Sequence, residues 1–87
     1  MQSKTLVVKN GSGIHARPAS MLVKEAGKFS AEVSLEFNGK KANAKSIMSV
    51  LSLGIGKDAE VTVSANGDDE NAALEGIINL IESGFGE

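Results

Sequence analysis

The segment GSGIHARPAS, residues 11–20, holds the only histidine, the only arginine and the only proline of the chain. The imidazole of His15 is a nucleophile that can carry a covalent group on a ring nitrogen. Arg17 adds a guanidinium whose planar fork matches the oxygens of phosphate, and Ser12 offers one further hydroxyl donor. These residue types at this spacing indicate an acceptor site for a phosphoryl group.

The local sequence also places this segment at the start of a helix. Pro18 fits only the first turn of a helix, because it has no N–H to donate, so the helix is expected to begin at about Ala16. The first amides of a helix have no helical partner and lie at the positive end of its dipole. The amides of Ala16 and Arg17 are therefore expected to cradle an anion attached to His15.

Other interpretations of the same residues stay open. A single histidine in a small protein is more often a surface or capping residue than a catalytic one. The Gly11-x-Gly13 pattern lacks the Lys-Ser/Thr of a P-loop, and reversible anion binding without a covalent step would also use this loop. A hydrolase is disfavoured, because no carboxylate is identifiably paired with His15.

Composition excludes several further classes. The 87 residues suit one domain spanning residues 1–87, with 41% hydrophobic and 23% charged residues. A net charge of -2 and the lack of Trp and Tyr argue against nucleic-acid binding. With no Cys and one His, we expect no disulfide, no metal site and no cofactor. The apolar run near the N-terminus is too short for membrane insertion, so we expect a cytoplasmic protein.

Hydrophobic periodicity predicts the elements that must position the segment. Strands are predicted at 4–9, 32–37, 40–43 and 59–65, with Asn38-Gly39 as a tight hairpin turn, and helices at 16–26, at 46–53 and from Asp68 to a stop at Gly84. Cleanly alternating strands have one covered and one wet face. We therefore predict an α+β fold of order β-α-β-β-α-β-α, a two-layer open-faced sandwich. In it, three helices cover one face of a four-stranded antiparallel sheet.

The same periodicity predicts the buried faces. Helical faces repeat every three or four residues and strand faces every two. The residues expected to be buried are Ala19, Leu22, Val23 and Ala26 on the first helix, Val33, Leu35, Phe37, Val61, Val63 and Ala65 on strands, and Leu74, Ile77, Ile78 and Ile81 on the last helix.

A docking surface is predicted beside the histidine. The stretch SIMSVLSL carries apolar residues over too wide an arc for one short helix to bury, and exposed apolar clusters mark interfaces. An alternative is that Met21 and Met48 fill gaps in the core. The candidate docking residues are Ser20, Met21, Lys24, Ile47, Met48 and Leu51, with Lys24, Lys40 and Lys45 as a cationic rim.

The segments GIHARPAS and KSIM, together with the order of elements, resemble HPr, the histidine phosphocarrier family of the bacterial phosphoenolpyruvate:sugar phosphotransferase system. The resemblance covers essentially the entire chain and implies a phosphoryl carrier rather than an enzyme. It implies that His15 accepts a phosphoryl group through Nδ1 from enzyme I and passes it to EIIA domains of sugar transporters, and that Arg17 steadies the group. A carrier that visits several partners in turn is expected to be a monomer.

Ser46 has a structural and a regulatory interpretation. It is expected to cap the short helix that follows it. The pattern KSIM-x-V-x-SLGI resembles the low-GC Gram-positive branch of the family, in which HPr kinase/phosphorylase phosphorylates the matching serine and the product joins catabolite control protein A as a corepressor. A purely regulatory paralogue acting only through Ser46 is the alternative. Such paralogues lack the phosphorylatable histidine, whereas His15 is present.

Overall fold

The computed structural model describes residues 1–11 and 13–86, and within them four strands form one antiparallel sheet of order β1-β4-β2-β3. The elements are β1 (Gln2–Val7), α1 (Ala16–Ala26), β2 (Glu32–Phe37), β3 (Lys40–Asn43), α2 (Ile47–Leu51), β4 (Glu60–Asn66), α3 (Glu70–Glu82) and a 3-10 turn (Gly84–Gly86). The helices cover one face of the sheet. The predicted α+β open-faced sandwich and its element order are confirmed.

Alternation along the central strands builds the core. Val33 and Leu35 of β2 lie opposite Ala65 and Val63 of β4, and all four side chains are buried. The other face stays polar, because residues between these positions point away from the helices. The predicted hairpin turn is confirmed: Asn38 and Gly39 have φ values of 54° and 80°, the left-handed pair that a two-residue turn requires.

The position of β1 differs from the prediction. The strand is Gln2–Val7, whereas the pattern predicts 4–9. Val8 has already left the sheet, and its backbone bonds a turn instead: its N–H donates to the Ala59 carbonyl at 2.9 Å and its carbonyl accepts from the Asp58 N–H at 2.8 Å. The apolar run continues past the strand because Val8 is buried in the core beyond the sheet.

The helix α2 ends at Leu51, two residues before its predicted end. The other two helices bury narrower faces than their sequences predict. The fully buried residues are Pro18, Ala19, Leu22 and Ala26 on α1 and Ala73, Ile77 and Ile81 on α3. Val23, Leu74 and Ile78 are only half-buried. On α3 the contact follows an i, i+4, i+8 row, so apolar residues beside that row meet the core with part of their surface.

The end of α3 adds a core residue that periodicity does not predict. The helix stops at Glu82, and Gly84, the predicted stop, follows with φ of +68°. The chain then turns so that the Phe85 side chain is fully buried. An aromatic residue just beyond the end of α3 therefore joins the core.

Asp69 ties the connection between α1 and β2 to the start of α3. Asp69 is the N-cap residue of α3, but its side chain makes no capping hydrogen bond. Its carboxylate instead accepts from the Ser30 N–H at 2.9 Å, the Ala31 N–H at 2.8 Å and the Ser30 hydroxyl at 3.3 Å. The bond from the Ser30 amide is the main reason that the pKa of Asp69 lies below its ordinary value of 3.8, because it stabilises the ionised form.

The loop before α1 packs against the loop after α2. Gly13 donates to the Asn10 carbonyl at 3.1 Å, and Ile14 donates to the Ile55 carbonyl at 2.9 Å. Gly13 has φ of +66°, and a Cβ there would lie 2.6 Å from the Ile55 oxygen and 2.7 Å from the Cα of Gly56. Both the left-handed conformation and the close approach therefore require glycine at this position.

Replacement of Asp69 should make the stability of the protein depend on pH in a defined direction. We expect Asp69→Asn to lower the free energy of unfolding at neutral pH, because an amide cannot replace the carboxylate as acceptor of all three bonds. Since the pKa is lowered in the folded state, the carboxylate stabilises the protein above its unfolded-state pKa and loses this effect as the pH falls through the lower folded-state value. The difference between native and variant should therefore shrink below about pH 4.

Urea denaturation across this pH range measures that difference. The matched control is Asp68→Asn, which removes the same charge from the exposed neighbouring residue. A difference between native protein and Asp69→Asn that stays constant from neutral to acid pH would contradict the assigned role.

Substitution of Gly13 should be far more destabilising than substitution of Gly11 two residues earlier. Gly13→Ala combines an unfavourable positive φ with a backbone clash, for which we expect a loss of about 2–4 kcal/mol in the free energy of unfolding. Gly11→Ala is the control, because an added Cβ there meets no heavy atom within 4 Å. Thermal unfolding should show a fall of about 4–8 °C for each kcal/mol lost, and equal melting temperatures for the two variants would contradict the close contact.

Candidate functional site

His15 is the N-cap residue of α1, as predicted, with an extended backbone at φ -104° and ψ -157°. Its carbonyl accepts the first helical hydrogen bond, from the Ala19 N–H at 2.9 Å. Its side chain is exposed and makes no capping bond to the helix. The imidazole therefore lies on the surface, at the positive end of a three-turn helix. Its position is defined because the backbone of the same residue forms the first hydrogen bond of that helix.

The first turn of α1 determines which backbone donors lie beside the imidazole. Pro18 has no N–H, and the Ala19 amide is bonded to the His15 carbonyl. The donors at the very start of the helix are therefore the amides of Ala16 and Arg17, the pair predicted from the sequence. Pro18 itself is buried and anchors this turn against the core.

The guanidinium of Arg17 lies on the outer face of α1. Its Nη1 contacts the Sδ of Met21, one turn further along the helix, at 3.5 Å. A thioether is a weak acceptor compared with a phosphoryl oxygen. A phosphoryl oxygen on His15 would therefore be a stronger acceptor for the guanidinium than the Met21 thioether is.

Two further loop residues complete the description. Ser12, predicted to support phosphate binding, lies outside the described residues. Asn10 is not among the site residues predicted from the sequence. Its side chain is buried and donates from Nδ2 to the Gly13 carbonyl.

Ser46 is the N-cap residue of α2, and this structural prediction is confirmed. Its Oγ accepts from the Ser49 N–H at 3.3 Å, and its carbonyl accepts from the Val50 N–H at 3.0 Å. The residue is half-buried. Because α2 packs beside α1, the capping serine belongs to the element adjacent to the helix that begins at His15.

The apolar part of the predicted docking surface is solvent-accessible. Met48 is 77% exposed and Ile47 41% exposed, so the alternative that Met48 fills a gap in the core is wrong. Leu51 and Met21 are half-buried and pack against the edge of the core. Ile47 and Met48 thus form an exposed apolar pair on α2, and clustered exposed apolar residues are typical of interfaces.

The polar candidates are arranged less uniformly. Ser20 and Lys24 are exposed on α1. Lys45, predicted as part of the cationic rim, donates from Nζ to the Phe29 carbonyl at 2.7 Å. Its ammonium therefore joins the loop before α2 to the loop after α1. Lys40 begins β3, opposite Phe37 across the hairpin.

His15 and Arg17 are both exposed on the surface. A groove along β2 and β3 is lined by residues 32–34, 41–43 and 45, so neither His15 nor Arg17 contributes to it. No group of three or more His, Asp or Glu able to hold a metal ion occurs in residues 1–11 and 13–86. None of the helices described is long and apolar enough to cross a membrane.

Comparisons with known proteins agree with this geometry. The family described as PTS HPr component phosphorylation site matches residues 2–83. The chain is 48% identical to HPr from Thermoanaerobacter tengcongensis, with a TM-score of 0.97 over 100% of this chain and 98% of that one. It is 39% identical to the phosphocarrier protein HPr of Bacillus anthracis, with a TM-score of 0.88 over 92% of this chain and 95% of that one.

A regulatory relative is also similar. The catabolite repression protein Crh of Bacillus subtilis is 42% identical, with a TM-score of 0.77 and 95% of each chain covered, and that protein is a dimer with a swapped domain. The family match spans nearly the whole length, and the fold agrees with it. This chain therefore belongs to the HPr family, the phosphocarrier proteins of the phosphotransferase system.

Proposed function

We propose that this protein carries a phosphoryl group on His15, which it receives from phosphorylated enzyme I and passes to EIIA domains of sugar transporters. The observation that supports this most directly is the exposed imidazole at the N-terminus of α1. A phosphoryl group there meets the positive end of the helix dipole while remaining accessible to a second protein. We propose further that residues 1–87 do this as one domain.

The proposed transfer is a displacement at phosphorus. A ring nitrogen of the neutral imidazole attacks, and the N–P bond forms as the bond between phosphorus and its donor atom on enzyme I breaks. The amides of Ala16 and Arg17 face the phosphoryl oxygens, and the guanidinium of Arg17 makes a charge-assisted bond to them. Passing the group to an EIIA domain reverses these changes.

Partner docking is proposed to use the surface beside the site. The exposed side chains of Ile47 and Met48 lie on the helix adjacent to α1. Burying them against enzyme I or an EIIA domain would bring the partner's reacting group close to the N-terminus of α1, where His15 lies. The remaining proposed contact residues are Ser20, Met21, Lys24 and Leu51.

Regulation is proposed at Ser46, through HPr kinase/phosphorylase and catabolite control protein A. A phosphoserine would keep acceptor oxygens near the Ser49 amide, so α2 is expected to remain capped. It would also place about two negative charges beside Met48. The likeness to Crh favours a second candidate, a corepressor that acts only through Ser46, but the presence of His15 favours the carrier.

We propose that the carrier acts as a monomer, because enzyme I and the EIIA domains must reach the same face of α1 in turn. Dimers are known for the relatives: a dimer of HPr from Thermoanaerobacter tengcongensis, 48% identical, and the swapped dimer of Crh. Light scattering at micromolar concentration tests this part of the proposal.

Labelling with phosphoenolpyruvate and enzyme I tests the carrier role. We expect an acid-labile, base-stable phosphoryl group on the native protein and none on His15→Ala, because the attacking nitrogen is gone. Ser46→Ala is the control and should still be labelled, since it removes the other proposed phosphorylation site. A folded native protein that takes no label would contradict the proposal and leave the corepressor and a non-covalent anion-binding domain as the candidates.

Charge at position 46 should weaken docking to enzyme I. Ser46→Asp and Ser46→Asn both keep a good N-cap for α2 and differ by one charge. We expect a several-fold higher KM for Ser46→Asp as a substrate of enzyme I at low salt, through repulsion from an acidic partner surface, and a smaller difference at high salt. Equal KM values for the two variants at low salt would exclude an electrostatic role.

A further inference from the structure

We propose that Asn10 is a positioning residue for phosphoryl transfer: its buried side-chain amide holds the left-handed conformation of Gly13 and thereby the path of the chain into His15. This inference rests on the proposed carrier function, because what it positions is the phosphoryl acceptor. It concerns a residue five positions before the imidazole that makes no contact with the reacting group.

Asn10 engages both polar backbone groups of Gly13. The backbone carbonyl oxygen of Asn10 accepts from the Gly13 N–H at 3.1 Å. The side-chain Nδ2 of Asn10 donates to the Gly13 carbonyl. The residue is only 5% exposed. On its other side lies the C-terminal 3-10 turn, where a Cβ on Gly84 would be 3.9 Å from the Asn10 Cβ. The side chain is therefore enclosed between the loop and this turn.

Gly13 and Ile14 lead the chain into His15, and both are held by contacts with the loop after α2. Gly13, at φ of +66°, lies against Ile55 and Gly56. Ile14 is 4% exposed and donates to the Ile55 carbonyl at 2.9 Å. Glycine by itself samples a wide range of backbone angles. The bond from the Asn10 amide restricts that range at the residue where the chain turns toward α1.

The other half of the amide makes a purely stabilising role a poor explanation. The Oδ1 of Asn10 is buried without a hydrogen-bond partner among the described residues, and such an atom costs free energy. Alanine would avoid that cost, although it would leave the Gly13 carbonyl without its donor. The Nδ2 of Asn10 thus gives the Gly13 carbonyl a donor, while the Oδ1 of the same amide stays unsatisfied. This combination is expected of a side chain whose role is to fix the conformation of the loop.

The test compares Asn10→Ala and Asn10→Asp with Gly11→Ala and the native protein. The first variant removes the donor together with the unsatisfied oxygen, so it should fold. The second keeps the shape and offers only acceptors to the Gly13 carbonyl. Gly11→Ala is the control because it changes the adjacent residue, where an added Cβ meets nothing within 4 Å. Each protein is assayed with phosphorylated enzyme I below its measured melting temperature.

We expect the saturating rate of phosphoryl transfer to His15 to fall about tenfold for both Asn10 variants, because a displaced nucleophile reacts more slowly even when bound. The KM for enzyme I should stay within about twofold, because the docking surface on α1 and α2 is untouched. Gly11→Ala should match the native protein in both constants. If Asn10→Asp does not fold, the saturating rate and the KM of Asn10→Ala alone test the inference.

Two other results would overturn the inference. A lower melting temperature with an unchanged saturating rate would show that Asn10 is merely structural. A rise in KM at constant saturating rate would place its effect in docking. If the native protein itself takes no phosphoryl label, the carrier function is wrong and the inference falls with it, so that failure is distinguishable from the first two.

Discussion

The antiparallel pairing of β1 with β4 is the constraint from which the geometry of the site follows. Val7, at the end of β1, lies opposite Glu60, at the start of β4. The segment leaving β1 and the segment entering β4 therefore meet at one edge of the sheet, where Val8 bonds the turn at 58–59. The two segments also lie side by side further from the sheet, where Gly13 and Ile14 contact Ile55. The loop that ends in His15 is thus supported by backbone, not by side chains alone.

That support matters because the imidazole stands on the surface. The proposed carrier function requires that a phosphoryl group on His15 be accessible to proteins of different shape, which a deep pocket would prevent. His15 is exposed and yet has a defined position, because it is the N-cap residue of α1 and the buried residues Pro18 and Ala19 fix the turn that follows it. Rigid elements behind an exposed group keep it in a productive geometry at little entropic cost.

A second set of long-range bonds holds the connections at the other end of α1. Asp69 accepts three hydrogen bonds from Ser30 and Ala31, and Lys45 donates to the Phe29 carbonyl. The loop after α1 is therefore tied both to the start of α3 and to the segment that precedes Ser46. These ties fix α1 relative to α2, and so fix the distance between His15 and the exposed apolar pair on α2.

The amino-acid sequence by itself determined the elements, their order, the limits of α1, the hairpin turn and the capping role of Ser46. These features depend on local chemistry: a proline without an N–H, a hydroxyl that accepts at a helix start, an Asn-Gly pair that tolerates positive φ. Only the tertiary structure decided where β1 ends, which partners Asp69 and Lys45 take, that Met48 is exposed and that Asn10 is buried under the loop. Each of these depends on a partner that lies at a distance along the chain or on the shape of the assembled core, and hydrophobic periodicity records which face of an element is buried but not what it meets there.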